Sequence, residues 1–468
     1  MDIRLSFFGA AQTVTGSRYI LEANGMRILI DCGMYQERDY RYRNWAPFHR
    51  DPDSIDAMLL THAHLDHSGM IPRLVSQGFS GPIHCTAATA KIATIIMADS
   101  AKIMAEDVAF KKRRHERAGR KSPHSYDPLY DREDVEKTVR LFRHAGMDKT
   151  IDLGGGITAT FCEAGHILGS THILITVKQG DEERTILFSG DIGRWGAPIL
   201  RDPTPFADAD YVVVESTYGN REHEDNSHIR GQLAAIINET CEAGGNVIIP
   251  SFAVERSQEL LYHLNALNNA KEIPKLMCFV DSPMAIRVTD VFRSHSELYD
   301  DDARRLVDSG DDPCDFEGLH MCRTATQSKA INQIRGTALV IAGSGMCTGG
   351  RIKHHLVRNI ERPESTVLFV GYQAVGTLGR QILEGEDRVR INGEIRTVKA
   401  RVERINGFSG HGDRNELMRW MKGLQNPPKR VFVTHGEIKA ADAFAESLRS
   451  QLGYDAVVPA YEDEFTLD

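Results

Sequence analysis

The 468-residue chain has no Cys-x-x-Cys pair, although it holds eight cysteines. Thiolate zinc sites and redox dithiols are therefore excluded as organising features. The cysteines, at positions 32, 85, 162, 241, 278, 314, 322 and 347, are scattered, many of them in apolar runs. They read as buried reduced thiols rather than a disulfide framework. No stretch approaches the roughly 18 uncharged apolar residues of a membrane span. The N-terminus, Met1-Asp2-Ile3-Arg4-Leu5, lacks the apolar core of a signal peptide, so a cytoplasmic location without membrane association is expected. An excess of basic charge is also absent. The net charge of −9 argues against broad non-specific binding to nucleic acid, while leaving room for a local basic groove. There is no internal repeat and no Gly-Lys-Ser/Thr phosphate loop. The length exceeds one typical core, so two domains or a large insertion are expected.

What is present centres on Thr61-His62-Ala63-His64-Leu65-Asp66-His67. An apolar run, Ile55 to Leu60, reads as a buried strand before it, and Ser68 to Leu74 reads as the start of a helix after it. Four metal-binding side chains thus sit on a loop past a strand end. Imidazole nitrogens and a carboxylate suit zinc. His62 and His64 can face one ion while Asp66 and His67 face a second. The spacing differs from the helical His-Glu-x-x-His pattern.

Several other polar residues end apolar strands. Asp31 closes the strand 26–33, whose partner 17–22 is joined to it by the turn Asn24-Gly25. A carboxylate there either orients a histidine ligand or caps a turn. His166 and Asp191 each lie beside glycine at a strand end, after 158–162 and 184–189. With the cluster upstream, His166 reads as the third histidine of the first zinc and Asp191 as the bridge between two zincs. His172 reads as a core or orienting histidine. Strand 211–215 ends in Glu215. Strand 430–434 ends in His435, and His411 lies in a Gly-Phe-Ser-Gly-His-Gly stretch.

From about Asn226 helices alternate with strands, which implies parallel-sheet units and a second α/β domain. Helices are expected at 226–243, 255–268, from Met284 and, earlier, at 86–113 and 127–142. The acidic stretch 299–315 reads as a mobile surface loop. Gly343 to Arg351 follows the strand 338–342 and opens a helix, a pattern that can cradle an anion on backbone N–H groups. The bland alternative is a tight glycine turn. Ser251 to Arg256 is a similar corner with one arginine. The basic run Lys111 to Arg117, continuing to Arg120-Lys121, is either a solvated face or a phosphate contact.

Together these residues resemble the metallo-β-lactamase superfamily and, within it, the β-CASP nucleases. Asp31, His62-Ala63-His64-Leu65-Asp66-His67, His166 and Asp191 match the four superfamily motifs. Glu215, His411 and His435 match the three further β-CASP motifs, and a histidine at the last resembles RNA-processing members. The chain is similar to bacterial and archaeal homologues of the pre-mRNA 3′-end cleavage endonuclease, without an N-terminal extension for RNA-binding domains.

The resemblance implies an α/β protein: a four-layer αβ/βα metallo-β-lactamase fold with an inserted α/β β-CASP domain. The parts would be 1–216 and 397–468 for the first domain and 217–396 for the insert, with the active site in the cleft between them. It implies two Zn²⁺ per chain. His62, His64 and His166 would hold one; Asp66, His67 and His435 the other; Asp191 would bridge. His411 would act on the leaving oxygen, oriented by Glu215, with Asp31 behind the ligands and Asp66 also in the catalytic set. Ser344, Gly345, Met346, Gly349, Arg351 and Arg256 would bind phosphates of a single-stranded RNA. Endonucleolytic cleavage is the first reading and 5′-exonucleolytic action stays open. A homodimer is common among relatives, without independent sign in these residues. The competing readings are a small-molecule thioester or lactone hydrolase and a non-catalytic RNA-processing scaffold.

Overall fold

A computed structural model describes residues 1–117, 119, 126–224 and 228–468. Arg120, Lys121 and Asn226 of the sequence reading lie outside the described residues. The chain divides into two compact units. One comprises Met1–Ala197, Arg201–Glu222 and His411–Asp468; the other comprises Pro198–Leu200 and His223–Gly410.

The first unit is built on two seven-stranded sheets. One runs in the order Glu464–Leu467, Ile3–Gly9, Arg18–Ala23, Met26–Ile30, Ala57–Leu59, Ile83–Cys85, Phe142–His144. The other runs Ala456–Val457, Arg430–Thr434, Tyr211–Glu215, Glu182–Phe188, Thr171–Gln179, Ile157–Glu163, Thr150–Gly154. Alternate side chains from both sheets meet in one core, including Leu5, Phe7, Leu21, Ile28, Ile173, Phe188 and Phe432. The opposite face of the second sheet packs against the helices Arg414–Met421 and Ile438–Leu452 through Val212, Val214, Leu417, Trp420 and Phe444. Beside the first sheet the helices Ile71–Ser76, Ala87–Arg117 and Arg132–Val139 pack on one another. Strand Arg430–Thr434 pairs parallel with Tyr211–Glu215, Glu215 opposite Thr434. That register puts two late-chain residues, Thr434 and His435, beside the end of a much earlier strand.

The second unit carries a six-stranded sheet: Leu319–Met321, Met277–Asp281, Ala338–Ala342, Val247–Pro250, Thr366–Phe369, Arg401–Arg404. Its strand pairs are all parallel, as the alternation of strands and helices predicts. Its last strand lies beyond residue 396, where the first domain was expected to resume. The backbone of Arg401–Arg404 is satisfied by Thr366–Phe369 and so belongs to this sheet.

Three local expectations change. Asp66 and His67 lie on a short helix, Leu65–Ser68, rather than on a loop. The helix expected at 127–142 is confined to Arg132–Val139, because Asp131 and Asp134 form a capping box at its start and Phe142 already enters a strand. The stretch 299–315 contains a helix, Asp301–Asp308, N-capped by Asp300, and Tyr299 before it is buried. Its clustered aspartates favour a helix N-terminus, where carboxylates oppose the dipole. The long helix runs to Arg117, and the basic residues of its last turns are exposed.

Candidate metal centre

The candidate ligands converge inside the first unit. Thr61-His62-Ala63-His64 leaves the strand Ala57–Leu59, and Leu65–Ser68 turns Asp66 and His67 back towards it. The close approach depends on Gly33, where a Cβ would fall 1.6 Å from the carbonyl oxygen of Asp66. Asp31 has φ +57° and His435 φ +47°, a region non-glycine residues rarely enter. Such backbone persists where the surroundings over-determine it. The main-chain N–H of Asp31 donates to Leu59 and that of His435 to Ala10, which fixes both.

Three groups of donors form among the described residues, the third being Asp191, Glu215 and His411, which shares Asp191 with the first. His62, His64, His166 and Asp191 offer atoms all within 4.8 Å of one another, and so do Asp66, His67 and His435. In the first, His64 Nδ1 lies 3.2 Å from His62 Nε2 and 3.0 Å from His166 Nε2. In the second, the Nε2 atoms of His67 and His435 are 3.1 Å apart, and His435 Nε2 is 3.6 Å from Asp66 Oδ2. Asp191 faces the first two groups. Its Oδ2 is 3.3 Å from His62 and 3.4 Å from His166, while its Oδ1 is 3.3 Å from His67 and 3.6 Å from His435.

The donor set fits metal ions. Asp191 Oδ1 is buried and makes no hydrogen bond among the described residues, an expensive state for a carboxylate unless a cation meets it. Burial lowers His62 to about 3 and His64 to about 4, and takes His166 well down, so these three are neutral at pH 7, the form in which imidazole can hold a metal. Burial also opposes charge on His67 and His435, but Asp191 outweighs it, with Asp31 acting on His67 and Asp66 on His435, and both are raised. Positive charge is thus drawn to the place where a metal would displace those protons. Asp66 and Asp191 are both held below the carboxylate range; burial works against this, and His67 and His435 overcome it.

The outward ring atoms are also held. His67 Nδ1 lies 2.7 Å from Asp31 Oδ2, and Asp31 in turn accepts from the N–H and hydroxyl of Thr61. His435 Nδ1 is 3.0 Å from the Thr217 hydroxyl. Partners of this kind fix which nitrogen faces a metal. Thr61 and Thr217 were not singled out in the sequence. Thr61 adjoins His62 and Thr217 lies two residues after Glu215, but nothing in a threonine there distinguishes this role from a turn.

His411 Nδ1 sits 3.1 and 3.2 Å from the two oxygens of Glu215. Glu215 is fully buried and also accepts from the N–H of Ile192 at 2.7 Å. Burial would lower His411, but Glu215 and Asp191 outweigh it and raise the ring to about 9. His172 is a core residue, buried against Trp420 with Nδ1 2.5 Å from the carbonyl of Ser189.

The six residues predicted to bind phosphate all lie in the second unit. Gly343 to Gly350 follows the strand Ala338–Ala342 and leads into the helix Ile352–Asn359. The loop closes on itself: Gly349 N–H donates to Ser344 Oγ at 3.2 Å and Ile352 N–H to Gly343 at 3.0 Å. Arg351 is tied to buried Asp281 at 2.7 Å and to the carbonyl of Cys322 at 2.8 Å. Arg256 is buried, bonded to Glu259, with its guanidinium 5.1 Å from the Phe408 ring centre. Both arginines therefore brace their own corners.

Comparison with known proteins agrees with this geometry. Residues 13–220 match the metallo-beta-lactamase superfamily, 257–382 the Beta-Casp domain, and 396–459 the Zn-dependent metallo-hydrolase RNA specificity domain. The chain is 38% identical over 435 residues to Ribonuclease TTHA0252 of Thermus thermophilus, covering 93% of each. It is 32% identical over 467 residues to Transcription termination factor FttA of Methanosarcina mazei, covering 96% of this chain and 69% of that one. A structure of a protein of unknown function from Enterococcus faecalis shares the fold, with TM-score 0.55, 12% identity and full coverage of both chains. The chain belongs to the β-CASP family of the metallo-β-lactamase superfamily and is a metallohydrolase.

Proposed function

We propose that this chain is a zinc-dependent ribonuclease that hydrolyses phosphodiester bonds of single-stranded RNA at a two-zinc site. The observation that carries this reading is Asp191, with one carboxylate oxygen towards each histidine group. His62, His64 and His166 would hold one ion and Asp66, His67 and His435 the other, with Asp191 available to both. Zinc bound there supplies Lewis-acid polarisation of the phosphoryl oxygens and lowers the pKa of bound water towards about 7.

The chain's own residues do the rest. Asp31 accepts the Nδ1–H of His67 and so turns its Nε2 lone pair inward; Thr217 does the same for His435. Glu215 accepts the Nδ1–H of His411, which leaves Nε2–H as the proton delivered to the departing ribose oxygen. Within the second unit, the Gly343 to Gly350 loop offers a phosphate site. Among the described residues, no group accepts from the N–H of Gly345 or Met346, and the Ser344 hydroxyl stands beside them. The ribonuclease named among the relatives and the RNA specificity match support RNA as substrate.

Cleavage is assigned as endonucleolytic first, with 5′-exonucleolytic action the second mode. The test is labelled single-stranded RNA, linear and circular, with and without chelator. Zinc-restored cutting of the circle supports the assignment. Failure on both RNAs, with hydrolysis of a thioester or lactone, overturns it.

A further inference from the structure

We infer that the loop Tyr35 to Trp45 of the first unit is a stacking surface for unpaired bases of the substrate strand, away from the reacting phosphate; this rests on the ribonuclease reading. The loop leaves Gly33 and Met34, whose N–H groups donate to Ser17 and Leu65, so its root is fastened beside the short helix bearing Asp66 and His67. Its far end is a 3₁₀ turn, Arg41–Trp45. Tyr42 and Trp45 on that turn are 67% and 60% exposed. Arg38 and Arg41 beside them are exposed as well, and neither pairs with a carboxylate among the described residues.

Exposed rings are ordinary on a floppy loop. This loop is clamped. The buried Asn44 side chain accepts from the N–H of Tyr35 at 2.9 Å and donates to its carbonyl at 2.8 Å. Arg41 Nε donates to the carbonyl of Gln36 at 2.9 Å, and Arg73 donates to that of Trp45 at 3.0 Å. Arg43 threads between rings, 3.7 Å from the Tyr461 centre and 4.8 Å from that of Tyr40. Glu37 is turned inward, accepting from the N–H groups of Val14 and Thr15 at 3.0 Å. The outward face thus carries two exposed aromatic rings on a clamped backbone, flanked by two guanidinium groups without a carboxylate partner among the described residues.

That combination suits a single strand. Bases stack on aromatic faces whatever their sequence, and arginine meets the phosphates between them. A protein partner would be drawn to the apolar rings, but two exposed arginines without carboxylate partners among the described residues favour a polyanion.

The experiment compares the parent with Trp45→Ala, Tyr42→Ala and Trp45→Phe on a 30-nucleotide oligouridylate and on bis(p-nitrophenyl) phosphate, a diester without flanking bases. Trp45→Ala and Tyr42→Ala should each raise KM for the oligonucleotide by about tenfold, with kcat unchanged. Their turnover of the small diester should equal the parent's, and Trp45→Phe should restore most of the RNA affinity. An unchanged KM for RNA in both alanine variants overturns the inference. So does a shift in sedimenting mass in place of a KM change, which would make the surface a contact between copies. A parent that turns over the small diester but cuts no RNA removes the ribonuclease reading itself, and this inference with it.

Discussion

His67 and His435 bring their Nε2 atoms to 3.1 Å although 368 residues separate them in the chain. Both rings face Asp191 Oδ1, so the last sixty residues complete the second donor group rather than decorate it. His435→Ala is expected to lower zinc from about two per chain to about one, read by elemental analysis. RNA cleavage should fall at least a hundredfold, about the loss seen when a group that merely orients a ligand is removed.

His411→Ala should behave differently. It should retain both metals yet lose about 10²–10⁴-fold in kcat, the range for a general acid. Burial alone would lower His411, but in the metal-free protein Glu215 and Asp191 raise it to about 9. Bound cations would offset Asp191 and leave Glu215 as the main raising charge, so the limb of the kcat–pH profile assigned to this group should begin to fall below pH 9 in the zinc-loaded enzyme. Glu215→Gln removes the largest raising charge and should move that fall to lower pH.

Much of the metal site is legible in the sequence because its parts end strands. His62, His166, Asp191, Glu215 and His435 each follow an apolar run, and a strand end is where a side chain can leave a buried sheet for a cavity. What was hidden is the device that gathers them. The register that sets Glu215 opposite Thr434 is a long-range pairing, without a local signal. The positive φ of Asp31 and His435 is uncommon even for aspartate and histidine, and no local signal in the sequence marks it. Arg351 and Arg256 were expected to bind phosphate because each stands at a strand-to-helix corner; their partners Asp281 and Glu259 appear only in the fold.

Gly33→Ala tests the close approach. Its Cβ would meet the Asp66 carbonyl at 1.6 Å, so the short helix carrying Asp66 and His67 must shift. A loss of about 1–3 kcal/mol or more in stability is expected, with zinc lost alongside. Gly231→Ala, in the helix Ile229–Glu242 with open space around it, is the control and should be neutral or slightly stabilising.

Metal and protons compete for one place. His67 and His435 are raised above their ordinary value when no metal is bound, so they bind more protons folded than unfolded. Their contribution to the depleted protein is full below about pH 6.5 and is lost as pH rises through the raised values. Zinc must displace those protons, so its binding strengthens with pH. The gap in Tm between zinc-loaded and chelator-treated protein should therefore widen from pH 6 to pH 8.

The most direct measurement is an anomalous difference map at the zinc absorption edge from crystals of the zinc-loaded protein. Two peaks are expected, one bounded by His62, His64 and His166 and the other by Asp66, His67 and His435, with Asp191 touching both. A single peak, or two peaks of which only one contacts Asp191, would contradict the bridged two-zinc centre.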